Sequence, residues 1–204
     1  FAEHPNYDAS WSGFGSGNSP TTTQSTPINS AALRWSVTEG TQNTPGFISD
    51  QVIVKDTVYY VSGSTLKAVD AATGNLIAAA QIGSKVSYFA RPLYVNGMIV
   101  VATDDGCLTA FSATTMECIW KTEQLDTTNA LQSVSSLTVN NGTILAEFTK
   151  MSGFDAAGGY MIAVDAATGA LRWKQDAQPA NIPGAISGQP SGYYWSGAAA
   201  SGSD

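Results

Sequence analysis

Short apolar runs of about four to eight residues, alternating or continuous, are broken by Gly, Asn and Asp along most of this chain. That period predicts β-strands, and they fall into groups of four. The first group is Asp50–Val54, Thr57–Val61, Thr65–Val69 and Asn75–Ile82. The second is Ala90–Val95, Met98–Thr103, Cys107–Phe111 and Glu117–Thr122. The third is Val134–Val139, Thr143–Thr149, Tyr160–Val164 and Ala170–Gln175. Asn96-Gly97 and Asn140-Asn141-Gly142 predict tight hairpins, because both central residues of such a turn need positive φ. Lys150–Gly159 is expected to be a long loop, either a place for a specific contact or a drifted surface segment. Leu33–Val37 reads as an isolated outer strand, and Ser196–Ser203 as the first strand of a further group.

The groups are copies of one unit. Leu66-Lys-Ala-Val-Asp70-Ala-Ala-Thr-Gly74, Leu108-Thr-Ala-Phe-Ser112-Ala-Thr-Thr-Met116 and Met161-Ile-Ala-Val-Asp165-Ala-Ala-Thr-Gly169 align without gaps. They recur at roughly 40–50 residues, the period of β-propeller blades built from four-stranded sheets. The side chains of Asp70 and Asp165 can accept hydrogen bonds from backbone amides two or three residues on. Gly74 and Gly169 supply the positive φ that closes the turn. Asp70, Thr73, Gly74, Asp165, Thr168 and Gly169 are therefore read as structural turn residues; a catalytic carboxylate has no reason to recur in every unit.

Composition narrows the setting. Hydrophobic residues make up 43% of the 204 and charged residues only 12%, a profile of extracellular β-proteins. A net charge of −7 with no basic cluster excludes nucleic acid and disfavours anionic lipid. No apolar run reaches the ~20 residues of a membrane-spanning helix. The opening at Phe1 suggests a signal segment already removed, hence a secreted or cell-surface protein. Antiparallel pairing about Ala113–Thr115 would offset Cys107 from Cys118 by ~13 Å along the strands, too far for a disulfide. Both are read as buried free thiols.

The unit Ala163-Val-Asp165-Ala-Ala-Thr168-Gly169-Ala-Leu-Arg-Trp173 resembles the pyrroloquinoline-quinone (PQQ) repeat. The second copy keeps Trp120 but has Ser112 for Asp and Met116 for Gly; the first has Ala78 where Trp would stand. Leu33-Arg34-Trp35 is similar to the end of one more unit, and Trp11 to Phe14 to the leader before a first blade. The resemblance implies an all-β propeller of four-stranded antiparallel blades, commonly eight. At ~45 residues per blade a full ring needs ~360 residues. The chain then holds a leader (1–30) and a partial propeller (31–204), with blades at 46–83, 88–123 and 132–176 and the start of another at 191–204. The remaining blades would come from the same protein or a second copy. By the same resemblance Trp35, Trp120 and Trp173 are inter-blade packing residues, and the source is bacterial.

Quinone-dependent members of the family use PQQ, Ca²⁺, a catalytic Asp and, in several, a disulfide between adjacent cysteines. The chain has no adjacent Cys pair and no acidic cage, and Asp104-Asp105-Gly106 reads as a hairpin turn. Its one histidine, His4, stands in the leader, which leaves no Ser-His-Asp triad or His-rich zinc site within the repeats. Gly13 to Gly17 neither follows a strand nor opens a helix. The expectation is a non-catalytic module binding a protein or glycan through its loop faces, without a cofactor. The alternative is a partial or degenerate PQQ- and calcium-dependent dehydrogenase propeller. Candidate ligand contacts are Arg91, which a neighbouring carboxylate would also satisfy, and Tyr193, Tyr194 and Trp195, a sugar-stacking platform or inter-blade packing.

Overall fold

The computed structural model describes residues 9–11, 32–40, 48–86, 90–125, 132–152 and 155–176. The ends of the chain, with the expected blade start at 191–204, Tyr193, Tyr194 and Trp195, lie outside them. Among the described residues thirteen strands form three antiparallel sheets. The first contains β1 (Ala9–Trp11), β2 (Val52–Val54), β3 (Thr57–Ser62), β4 (Thr65–Asp70) and β5 (Leu76–Gln81), hydrogen-bonded in that order. The second contains β6 (Leu93–Val95), β7 (Met98–Ala102), β8 (Leu108–Ser112) and β9 (Cys118–Lys121). The third contains β10 (Gln132–Asn140), β11 (Thr143–Ser152), β12 (Asp155–Asp165) and β13 (Leu171–Asp176).

The inner strands β2, β6 and β10 are neighbours in turn, so the sheets stack face to face around a common side. Two apolar layers fill the gaps. Between the first and second sheets lie Val52, Tyr59, Val61, Leu66, Ile99, Val101 and Phe111. Between the second and third lie Leu93, Val100, Leu108, Leu137, Ile144, Phe148, Tyr160 and Ile162. The middle sheet contributes to both: all five residues of β7 are buried. A strand covered on both faces has no use for polar alternation, which is why Met98–Ala102 is a continuous apolar run.

Local chemistry sets the strand ends. Asn96 and Gly97 have φ of 50° and 75°, and Asn141 and Gly142 have 46° and 70°, so both hairpins turn through the left-handed region that Asn and Gly tolerate best.

Three expectations need correction. Leu33–Val37 is not a strand; residues 32–39 cross the first sheet without regular pairing. Lys150–Gly159 is not a loop, because β11 and β12 continue their ladder to Ser152↔Asp155 with a register shift after Lys150. Backbone pairing needs no apolar alternation, and the small residues from Ala156 to Gly159 allow it. Cys118 is exposed, whereas Cys107 is buried; both thiols are free. The partners Phe111↔Cys118 and Ala110↔Trp120 leave Ile119 as an extra residue, and this bulge carries Cys118 to the outside of the outer strand.

Phe148 and Tyr160, paired across β11 and β12, are fully buried, with ring centroids 5.0 Å apart and planes 16° from parallel. Phe148→Ala should lower unfolding free energy by about 3–5 kcal/mol in a denaturant titration, the cost of a large buried cavity.

Candidate functional site

The turns after β4, β8 and β12 are built alike. Asp70 Oδ1 accepts the amides of Ala72 (3.1 Å) and Thr73 (2.7 Å) and the Thr73 hydroxyl (2.7 Å). Asp165 Oδ1 accepts those of Ala167, Thr168 and the Thr168 hydroxyl, each at 3.0 Å. In the second sheet the Ser112 hydroxyl takes the amides of Thr114 and Thr115 at 3.2 and 3.0 Å. The amides of Gly74, Met116 and Gly169 close the turns onto the carbonyls of Asp70, Ser112 and Asp165.

These turns receive the tryptophans. A Cβ on Gly74 would lie 2.7 Å from the Trp35 ring, and one on Gly169 would lie 2.5 Å from the Trp120 ring. Each indole thus rests flat on a glycine of the next sheet. Trp35 Nε1 also donates to the Ala71 carbonyl at 3.0 Å, whereas the buried Trp120 Nε1 has no partner among the described residues. Trp173 stands on β13 at 45% exposure, and the turns among the described residues are already covered or lack glycine.

Two further residues, missed in the sequence, fasten segments outside the strands to the sheets. The carboxylate of Glu39 accepts Tyr60 Oη (2.8 Å), Ser62 Oγ (3.0 Å) and Lys67 Nζ (2.7 and 2.8 Å), clamping residues 32–40 onto β3 and β4. Burial alone would raise the Glu39 carboxyl, but these donors outweigh it and hold it below its ordinary value. Burial, together with Glu39, pushes the Tyr60 phenol up to about 12. Asp105 accepts the hydroxyls of Thr103 (2.5 Å) and Ser84 (2.9 Å) and pairs with Lys121 at 3.2 Å, fastening the connector from the first sheet to the second. No local pattern announces these contacts, since the partners are 16 to 28 residues away except for Thr103.

Arg91, a candidate anion ligand, donates through Nε to Asp50 at 2.7 Å, so a neighbouring carboxylate engages it. Glu147 is a buried carboxyl on the face of β11 turned away from the second sheet, and burial raises its pKa. Among the described residues no group of three or more His, Cys, Asp or Glu side chains is placed to hold a metal. Shallow clefts of about 340 and 360 Å³ flank the two junctions, lined in one by Ala78, Tyr94 and Met116 and in the other by Glu123, Leu125 and Gly169.

The outer edge has a different character. Among the described residues the last strand of each sheet, β5, β9 or β13, is paired on one side only. These strands carry Leu76 at 60%, Ile77 at 58%, Ile119 at 51% and Leu171 at 48% exposure.

Sheets stacked through inner strands and pinned by indole on glycine define a β-propeller of PQQ-type repeats. The family model described as outer membrane protein assembly factor BamB matches residues 26–190, and the chain belongs to that family. No curated protein sequence matches it. A quinohemoprotein alcohol dehydrogenase from Pseudomonas putida HK5 superposes with a TM-score of 0.53 at 21% identity, over 63% of this chain and 20% of its own. BamB from Moraxella catarrhalis aligns with a TM-score of 0.47 at 20% identity, over 59% of this chain and 34% of its own. The chain thus spans about a fifth of the one and a third of the other, and the likeness to the dehydrogenase speaks to fold alone.

Two predictions follow from the turns. Gly169→Ala meets both a positive φ of 71° and the Trp120 ring, whereas Gly97→Ala meets a φ of 75° and open space. In urea titrations Gly97→Ala should cost about 1 kcal/mol, the price of the backbone alone, and Gly169→Ala clearly more. Hydrogen bonds from Arg172 and Thr168 lower the Asp165 carboxyl from 3.8 to about 2. Below the ordinary carboxyl range the unfolded chain takes up this proton first, so stability should fall as pH drops from about 4 to about 2. Asp165→Asn should flatten that part of the stability–pH profile.

Proposed function

We propose that this chain is a non-catalytic propeller segment that holds a protein partner in an extracytoplasmic setting. The observation that carries this reading is the row of exposed Leu76, Ile77, Ile119 and Leu171 on three successive outer strands, each with one edge unpaired among the described residues. Free strand edges accept an added strand through backbone hydrogen bonds, while neighbouring apolar side chains supply affinity. The expected loop-face binding thereby moves to the outer rim. Membership of a family described by outer-membrane assembly supports both a protein partner and the location. Among the described residues no helix is long and apolar enough to cross a membrane. Glycan binding rests on Tyr193, Tyr194 and Trp195, outside the described residues. The half-exposed Trp173 supports a further blade on the far side of the third sheet, from the same protein or a second copy.

A photo-crosslinking residue at Ile77 or Ile119 of the intact protein in its host should yield one defined protein adduct, and at Ala72 in a turn it should not. Equal labelling at all three positions would contradict the rim as the binding surface. Adding PQQ with Ca²⁺ should produce neither quinone absorbance nor dye reduction; a cofactor-dependent rate would overturn the non-catalytic reading.

A further inference from the structure

The junction between the first and second sheets lacks a tryptophan like those seated on Gly74 and Gly169, yet it is closed. Cross-strand register shows how. The row ending at Trp120 runs Leu93, Val100, Ala110, Trp120 across the second sheet. The matching row of the third sheet runs Thr138, Leu145, Ala163, Trp173. In the first sheet it runs Val52, Tyr59, Ala68, Ala78. The aromatic ring has moved two strands inward along the row, with the small Ala68 between its new place and its old one.

The hydrogen bond has moved with it. Trp35 Nε1 donates to the Ala71 carbonyl, the first residue after Asp70. Tyr59 Oη donates at 2.6 Å to the Ala113 carbonyl, the first residue after Ser112 and the equivalent position in the second sheet. The floor has changed in step. Met116 holds the backbone conformation of the glycines, with φ of 61° beside 74° for Gly74 and 71° for Gly169. A methionine is strained there, but its side chain is buried in one cluster with Tyr59 and Ala78. A thioether is a favourable neighbour for an aromatic ring and fills irregular space. Glycine is required only where an indole lies on it; without the indole, glycine would leave a hole.

We infer that Tyr59, Met116 and Ala78 form a substitute inter-blade lock, a displaced version of the tryptophan-on-glycine contact in which three positions have changed together. Its operation is independent of what the outer strands bind. An indole at position 78 in the pose of Trp120 would stand about as close to the Met116 Cβ as Trp120 does to a Cβ on Gly169, 2.5 Å, so the two locks exclude each other.

The test is a set of variants in the intact chain, read by thermal unfolding. Tyr59→Phe, which keeps the ring and loses the donor, should lower the midpoint by about 2–4 °C. Met116→Gly and Ala78→Trp should each lower it, the first by opening a hole and the second by collision. Tyr59→Val, Met116→Gly and Ala78→Trp combined should return to within about 2 °C of the unaltered protein and add blue-shifted, buried tryptophan fluorescence. Losses that simply add in the triple variant, or a Tyr59→Phe midpoint unchanged within error, would overturn the inference. If Ala78→Trp alone does not fold, Met116→Leu decides the floor: it fills the same space and should stay within about 2 °C, and a drop as large as that of Met116→Gly would contradict the filler role.

Discussion

A flat indole can lie on a turn only where no Cβ stands in its way, and this constraint organises the stack of sheets. It demands glycine at 74 and 169, with the left-handed backbone that glycine accepts without strain. That backbone in turn needs the preceding Asp or Ser to gather the amides of the tight turn, so the Asp-x-x-Thr-Gly spelling recurs wherever a tryptophan lands. The Trp120 contact spans two sheets, so the turn of the third sheet and the outer strand of the second are a single structural unit, and Trp35 seats residues 32–40 on the first sheet in the same way. The apolar layers supply most of the burial, but they are non-directional. The tryptophan contacts add a specific point at which neighbouring sheets meet.

How much of this was legible in the sequence depended on how local the cause is. The hairpins at Asn96-Gly97 and Asn141-Gly142 and the carboxylate turns at Asp70 and Asp165 are written in consecutive residues. The resemblance pointed to Trp35 and Trp120 as packing residues, and the ring-on-glycine geometry gives that idea its physical content. Contacts across sheets left no such trace. Glu39 reaches Tyr60, Ser62 and Lys67 over 21 to 28 residues, with no motif to announce it. Leu33–Val37 reads as a strand from its alternating Leu33, Trp35 and Val37, but among the described residues no ladder pairs it; the Trp35 indole and the Glu39 carboxylate hold the segment. Lys150–Gly159 reads as a loop because it is the extra length of the third unit over the second, and backbone pairing there needs no apolar pattern to announce it.

The candidate site was less legible than the fold. Arg91 stands in the sequence as a candidate ligand contact that a neighbouring carboxylate would also satisfy, and Asp50 engages it. The exposed apolar residues of β5, β9 and β13 passed unnoticed because apolar residues in strands are normally expected inside; only the sheet order reveals that these strands are last in line. The stacking that buries the inner strands leaves the outer ones, among the described residues, paired on one side, so the packing that builds the propeller also produces the surface proposed to bind a partner.

Native-state hydrogen exchange on Trp120→Ala tests most directly whether the indole contact joins separate sheets into one cooperative structure. If it does, amides of β9 in the second sheet and β12 in the third should lose protection together, while β3 and β4 of the first sheet keep theirs. Loss confined to β9, with β12 as protected as before, would mean that the apolar layers alone hold the sheets and that the tryptophan merely fills space.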